Sequence, residues 1–165
     1  MTAYEIKAVQ DAELDACADV IRQSFLTVAK DFGLTPENCP SNGAFIKSDR
    51  LLAEKEKGNL MYALHANNII AGFVAIGKLP DGTFTIEKLA VLPEYRHNGY
   101  GRVLINYAKE QVQRLGGTKI SIGIIEENVI LKNWYTANGF TSTGTKVFEH
   151  LPFTVGFMEY NIENI

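Results

Sequence analysis

The sequence predicts an α+β (mixed α/β) fold built on one central sheet. Two observations carry that prediction. The middle of the chain reads as an antiparallel meander of strands joined by tight turns, and a strand, helix, strand unit follows it at a length that suits a right-handed crossover between parallel strands. The sheet therefore changes from antiparallel to parallel partway along the chain. The 165 residues, 46% apolar and 21% charged, have globular proportions and carry no repeat, linker or low-complexity stretch, so a single domain over 1–165 is expected.

The elements follow in order. YEIKAV, Tyr4 to Val9, alternates as a first strand. From Asp11, an N-cap candidate, Leu14, Cys17, Ala18, Ile21, Phe25, Val28 and Phe32 recur at helical spacing until Gly33 offers a left-handed stop. GLTPENCPSNGAF, Gly33 to Phe45, is rich in turn residues, and a shorter helix is expected from Ser48, another N-cap candidate, to Gly58. LMYALHA, IIAGFVAIGK and TFTIEKLAVL are the meander strands, with hairpins at Asn67-Asn68 and LPDG. Arg102 to Gly117 reads as a helix with Val103, Leu104, Tyr107, Ala108, Val112 and Leu115 on one face. KISIGII, Lys119 to Ile125, is the next strand, Asn128 to Asn138 a helix stopped by Gly139, and GFTSTGTKVF with FTVGFMEYNI a final strand pair.

Composition narrows the function. No run approaches the ~18 apolar residues that cross a bilayer, and MTAYEIKAV lacks a basic region followed by an apolar one, so a cytoplasmic protein without a membrane partner is expected. Cys17 and Cys39 are too few and too far apart for a zinc site or a disulfide framework; both are read as reduced, and no metal is expected. A net charge of -3 argues against broad nucleic-acid binding, which needs a basic face to displace counterions.

Between the last meander strand and the following helix stands RHNGYG, Arg96 to Gly101. Two glycines one residue apart can simply make a tight turn. A phosphate-binding P-loop would need GK followed by Ser or Thr, but Gly101 is followed by Arg102 and Val103. The dinucleotide fingerprint needs a third Gly or Ala where Leu104 stands, and its fold opens with βαβ rather than a meander; Glu126, at the end of the next strand, is the one residue in its favour. The pattern Arg/Gln-x-x-Gly-x-Gly/Ala between an LAV strand and a helix instead resembles the GNAT superfamily of acyl-CoA-dependent N-acyltransferases. The resemblance runs through TIEKLAVLPEYRHNGYGRVLI into ENVILKNWYTANGF, roughly Thr83 to Phe140.

That resemblance implies a GNAT-like fold, with one mixed sheet of about seven strands, flanked by about four helices and splayed between the fourth and fifth strands. It implies acetyl-CoA as the acetyl donor, with the main chain of Arg96, His97, Asn98, Gly99, Tyr100, Gly101 and Arg102 holding the pyrophosphate. Convergent amides in a glycine turn and a helix N-terminus suit such an anion. It further implies that the backbone of Leu89, Ala90 and Val91 pairs with the pantetheine arm, and that one N–H there meets the thioester carbonyl. Asn128 and Tyr135, seven residues apart, share a helix face. Taken alone they read as an N-cap and a core residue; the resemblance puts the asparagine at the pantetheine and the tyrosine hydroxyl near the sulfur, where it can protonate the departing thiolate.

An amine with a pKa of about 10.4 must also lose a proton, at roughly 4.6 kcal/mol at neutral pH, so a base or water chain is needed. Glu87 is expected on one strand face with Leu89 and Val91, within reach of the acceptor, or else as a solvated strand carboxylate. The reaction expected is acetyl transfer by direct attack of a small-molecule or peptide amine, both substrates bound together. GLTPENCPSNGAF and VFEHLPFTVGF, with Phe45, Phe148 and Phe153, are the candidate walls of the acceptor pocket. Many relatives are dimers, which extends the expectation of a homodimer to this chain. A non-catalytic acyl-CoA-binding module and a nicotinamide-dependent enzyme are the alternatives.

Overall fold

A computed structural model of the chain describes residues 3–162. Seven strands and four α-helices account for its regular structure in the order β1 (Tyr4–Ala8), α1 (Leu14–Asp31), α2 (Ser48–Glu56), β2 (Leu60–Ala66), β3 (Ile69–Lys78), β4 (Phe84–Val91), α3 (Tyr100–Arg114), β5 (Lys119–Ile125), α4 (Val129–Ala137), β6 (Thr141–Val147) and β7 (Thr154–Asn161). They form one mixed sheet in the order β1-β2-β3-β4-β5-β7-β6, antiparallel everywhere except between β4 and β5. This is the mixed architecture expected from the sequence. The Asn67-Asn68 hairpin turns through two left-handed residues, φ +52° and +63°, as a two-residue turn requires and as Asn tolerates.

Helix ends differ from the expectation in ways that matter locally. The segment Asp11–Glu13 is a separate 3-10 turn, so α1 begins at Leu14. Lys47, not Ser48, occupies the N-cap position of α2. Helix α3 begins two residues early, which draws Tyr100, Gly101 and Arg102 into its first turn. Its buried face is Tyr100, Leu104, Ile105, Ala108 and Val112; Leu115 is exposed because the helix ends at Arg114.

Each face of the sheet carries its own core layer. On one side α3 seats Leu104, Ile105, Ala108 and Val112 against Leu64, Val74, Ile76, Ile120 and Ile122. On the other, α1 and α2 pack Cys17, Ala18, Ile21 and Leu51 against Met61, Ala63, Phe73, Ala75 and Ala90.

Two irregularities in β4 shape what lies at its carboxyl end. Parallel pairing with β5 is confined to Phe84↔Ile120 and Thr85↔Ser121, so beyond Thr85 the two strands diverge, and the expected splay is observed. Opposite β3, the register runs Ala75↔Glu87 and then Phe73↔Ala90, a bulge that adds one residue to β4. Lys88 sits in it at φ +54°. The bulge corrects the expected strand face of Glu87. Strict alternation would group it with Leu89 and Val91, but the extra residue resets the period, so Glu87 and Ala90 share the α1/α2 side while Leu89 and Val91 pack toward α3.

Cys17 is fully buried, and burial, reinforced by the Glu13 carboxylate, pushes its thiol from 9.0 up to about 12. The fold favours the protonated thiol, so this contribution is intact below the unfolded pKa and is lost as pH rises through the folded one. The loss should reach about 1.4 kcal/mol near pH 10. Urea unfolding at about pH 8 and about pH 10 should reveal it in the wild type and not in Cys17→Ala.

Candidate active site

RHNGYG follows the carboxyl end of β4, the strand that diverges from β5. After β4 the chain makes a 3-10 turn over Pro93–Tyr95 and then passes through His97 at φ +67° and Gly99 at φ +79°, with Asn98 between them. Left-handed residues alternating with an ordinary one turn successive amides toward a common side, the geometry of an anion-binding nest. Gly99 is the N-cap of α3, and a β-carbon there would meet nothing within 4 Å, so the cradle is open. The first intrahelical bond is donated by Val103 N–H to Gly99 O at 3.0 Å, so the amides of Tyr100, Gly101 and Arg102 precede it, pointing out of the helix start. The dipole end and these amides suit a phosphate.

Side chains of the loop hold it in place. Tyr100 is buried, stacked on Tyr95 at 6.1 Å and edge-on to Tyr4 at 5.8 Å. The Arg96 guanidinium turns to α1, donating to Ser24 O at 2.9 Å and Thr27 Oγ1 at 3.2 Å. Asn98 Nδ2 donates to Tyr95 O at 3.0 Å. The Arg96 side chain is thus a brace, and the loop's capacity for an anion lies in its main chain. Gly101 has a packing reason for its missing side chain. Its β-carbon would stand 3.3 Å from Trp134 Cζ2, so the glycine lets α4 lie against the start of α3.

The open edge of β4 lies beside this loop. Leu92 N–H donates to Ala71 O of the β3 side at 2.9 Å, so by alternation the N–H groups of Leu89 and Val91 turn the other way, toward the diverging β5. The Val91 N–H is met there by Ser24 Oγ at 3.3 Å, while Ala90 pairs with Phe73. Of the three backbone positions expected on this edge, Leu89 and Val91 therefore direct donors into the gap, and Ala90 does not.

Asn128 is the N-cap of α4, its Oδ1 accepting from Leu131 N–H at 3.2 Å. Tyr135 is buried in the α3 layer, edge-on to Trp134 at 5.0 Å and to Phe140 at 5.4 Å. Burial pushes its phenol up, so it stays protonated at any physiological pH and is a hydrogen-bond donor rather than a base. Glu87, on the opposite side of the sheet, accepts from Asn59 Nδ2 at 3.2 Å. Glu126 is paired with Lys132 and packed where a side chain on Gly156 would stand.

The two segments expected to wall an acceptor pocket do meet. Leu34, Cys39, Ala44 and Phe45 from the α1–α2 connection form one apolar cluster with Leu151 and Phe153 of the β6–β7 loop, closed by Ile125 at the end of β5. Phe148 lies outside it, against His150 at 5.7 Å and beneath Lys146. Sequence reasoning missed Ser24, Trp134 and the bulge residue Lys88. Only Trp134, the single tryptophan of the chain, carried a signal by its size.

Comparisons with known proteins agree with this geometry. The Acetyltransferase (GNAT) family model matches residues 25–140. A protein of Lactobacillus delbrueckii subsp. lactis, described as an uncharacterized N-acetyltransferase in the pepI 3'region, is 25% identical over 161 residues, spanning 90% of each chain. Among solved structures, the ribosomal-protein-S18-alanine N-acetyltransferase from Escherichia coli superposes with a TM-score of 0.76 at 16% identity over 99% of this chain and 96% of that one. The paia N-acetyltransferase from Thermoplasma acidophilum in complex with coenzyme A gives 0.74 at 17% identity, over 97% and 99%.

Proposed function

We propose that this chain, which belongs to the acetyltransferase (GNAT) family, transfers an acetyl group from acetyl-CoA to a primary amine in the cytoplasm, both substrates being bound together. The observation that carries the reading is the splay: a parallel pair that stops at Thr85 and Ser121, in a strand whose far end leads into a glycine cradle at a helix start. The donor supplies an acyl group on a thiol leaving group. The chain's own residues supply everything else in the reading. Main-chain amides from Arg96 to Arg102 hold the pyrophosphate, and Asn128, at the start of α4, flanks the arm. The Leu89 N–H donates to the carbonyl oxygen, where negative charge grows as the amine adds. Tyr135, kept protonated by burial, donates toward sulfur. Glu87, on the α1/α2 side, takes the amine proton directly or through water.

The acceptor approaches from that same side, over the cluster of Phe45, Leu151 and Phe153. Half-buried aromatic rings favour an amine with an apolar body over a polyamine. Release of coenzyme A thiol should therefore be strongest with aralkyl and alkyl amines in a panel that also holds polyamines, amino acids and peptide N-termini; thiol release with none of them would leave a binding module without an acceptor. Acetyl-CoA at 100 times its Kd should add about 2.7 kcal/mol to stability, and NAD none; a melt raised by NAD alone would overturn the donor assignment. Tyr135→Phe should lower kcat by roughly tenfold to a hundredfold at unchanged donor Kd, and an unaltered kcat would remove Tyr135 from the proton-donor role.

A further inference from the structure

The bulge in β4 is built on a residue ill suited to it. Lys88 holds φ +54°, a left-handed conformation that is costly for an L-residue and that glycine adopts freely. Such a conformation persists only where the surroundings impose it. Here the constraint is visible. The Lys88 side chain is only 10% exposed, and its ammonium contacts Glu54 Oε1 of α2. The other carboxylate oxygen, Oε2, is buried and finds no hydrogen-bond partner among the described residues, with Arg50 Nε at 3.6 Å. Arg50 in turn donates from Nη1 to Ser41 O in the α1–α2 connection, at 2.9 Å. A carboxylate oxygen buried without a hydrogen bond is an expensive way to anchor a helix, and it invites a reason beyond packing.

We infer that Glu54 and Lys88 are positioning residues: by gripping the bulge through the Lys88 ammonium, α2 fixes the backbone turn that aims the Leu89 N–H into the gap between β4 and β5. This rests on the donor reading proposed above. Without the bulge, strand alternation would shift by one residue, and the neighbouring N–H groups would exchange sides, returning the Leu89 donor to β3. The grip also extends through Arg50 to Ser41, so the wall of the acceptor side and the donor-facing amide share one polar chain.

The test is a comparison of the Leu89 amide resonance in nitrogen-15-labelled full-length protein saturated first with coenzyme A and then with acetyl-CoA, together with the Kd of each. The wild type should show a displacement of Leu89 that depends on the acetyl group. Glu54→Gln should lose most of that displacement while its coenzyme A Kd stays within about twofold, since the cradle lies on another element. Adding Lys88→Gly to Glu54→Gln should restore the displacement, because glycine takes the left-handed turn unaided. A displacement that survives in Glu54→Gln, or one that Lys88→Gly fails to restore, overturns the inference. So does a wild type that binds acetyl-CoA without moving Leu89. If Glu54→Gln does not fold, Lys88→Met, which keeps the stem and drops the charge, is read in its place with the same outcomes. A wild type that binds neither ligand would instead remove the donor reading.

Discussion

Leu104→Ala is expected to lower the free energy of unfolding by roughly 3–5 kcal/mol, enough to threaten the fold of a chain this size. Leu104 is fully buried one turn into α3, and the place it fills exists because β3 has a glycine there: a β-carbon on Gly72 would lie 2.8 Å from Leu104 Cδ1 and 3.3 Å from Ala90 O. Knob and notch are matched, so their mutations should not add. Gly72→Ala should destabilise the wild type by overpacking, yet cost much less in the Leu104→Ala background, where its methyl enters the vacated space. A coupling of at least about 1 kcal/mol from urea unfolding of the cycle would establish the match; simple additivity would mean that α3 is seated by the rest of its face. Under the proposed function the same contact matters to donor binding, because the start of α3 can converge its amides on an anion only if the helix body is fixed against the sheet.

Leu104 also illustrates what a sequence discloses. In the sequence it served only to disfavour a dinucleotide fold, and the helical period placed it correctly on the buried face. Two strands of the meander and KISIGII were readable to the residue, and the third to within one residue at each end, because alternation, hairpin Asn residues and a flanking proline bound them locally. The fold and its family followed from such local signals plus one glycine motif. What stayed hidden depends on distant partners. No local signal marks a lysine for a left-handed turn, so the bulge at Lys88 and the true face of Glu87 were out of reach. Arg96 was legible as part of a motif, but its grip on Ser24 and Thr27 joins residues about seventy positions apart. Gly101 was legible as part of the same loop, but its closest neighbour, Trp134, was not. Gly99, the other glycine of the motif, can be tested separately.

Gly99→Val should weaken acetyl-CoA binding by at least about a hundredfold, and it should do so through backbone conformation rather than collision. At φ +79° a β-branched residue is strained by more than the roughly 1–2 kcal/mol that an ordinary L-residue suffers, while its β-carbon would meet no atom within 4 Å. The chain can relieve that strain only by leaving the left-handed region. Doing so unwinds the N-cap of α3 and swings its first amides apart, and each charge-assisted hydrogen bond so lost is worth about 1.5–3 kcal/mol. Two of them account for the hundredfold. Gly99→Asn provides the discriminating control, since Asn tolerates left-handed φ: it should bind within severalfold of the wild type despite a larger side chain than alanine. Isothermal titration of both variants separates the causes. Equal losses would mean that the side chain blocks the ligand, and a normal Kd for Gly99→Val would mean that the cradle does not hold the donor, leaving the splay between β4 and β5 without its phosphate anchor.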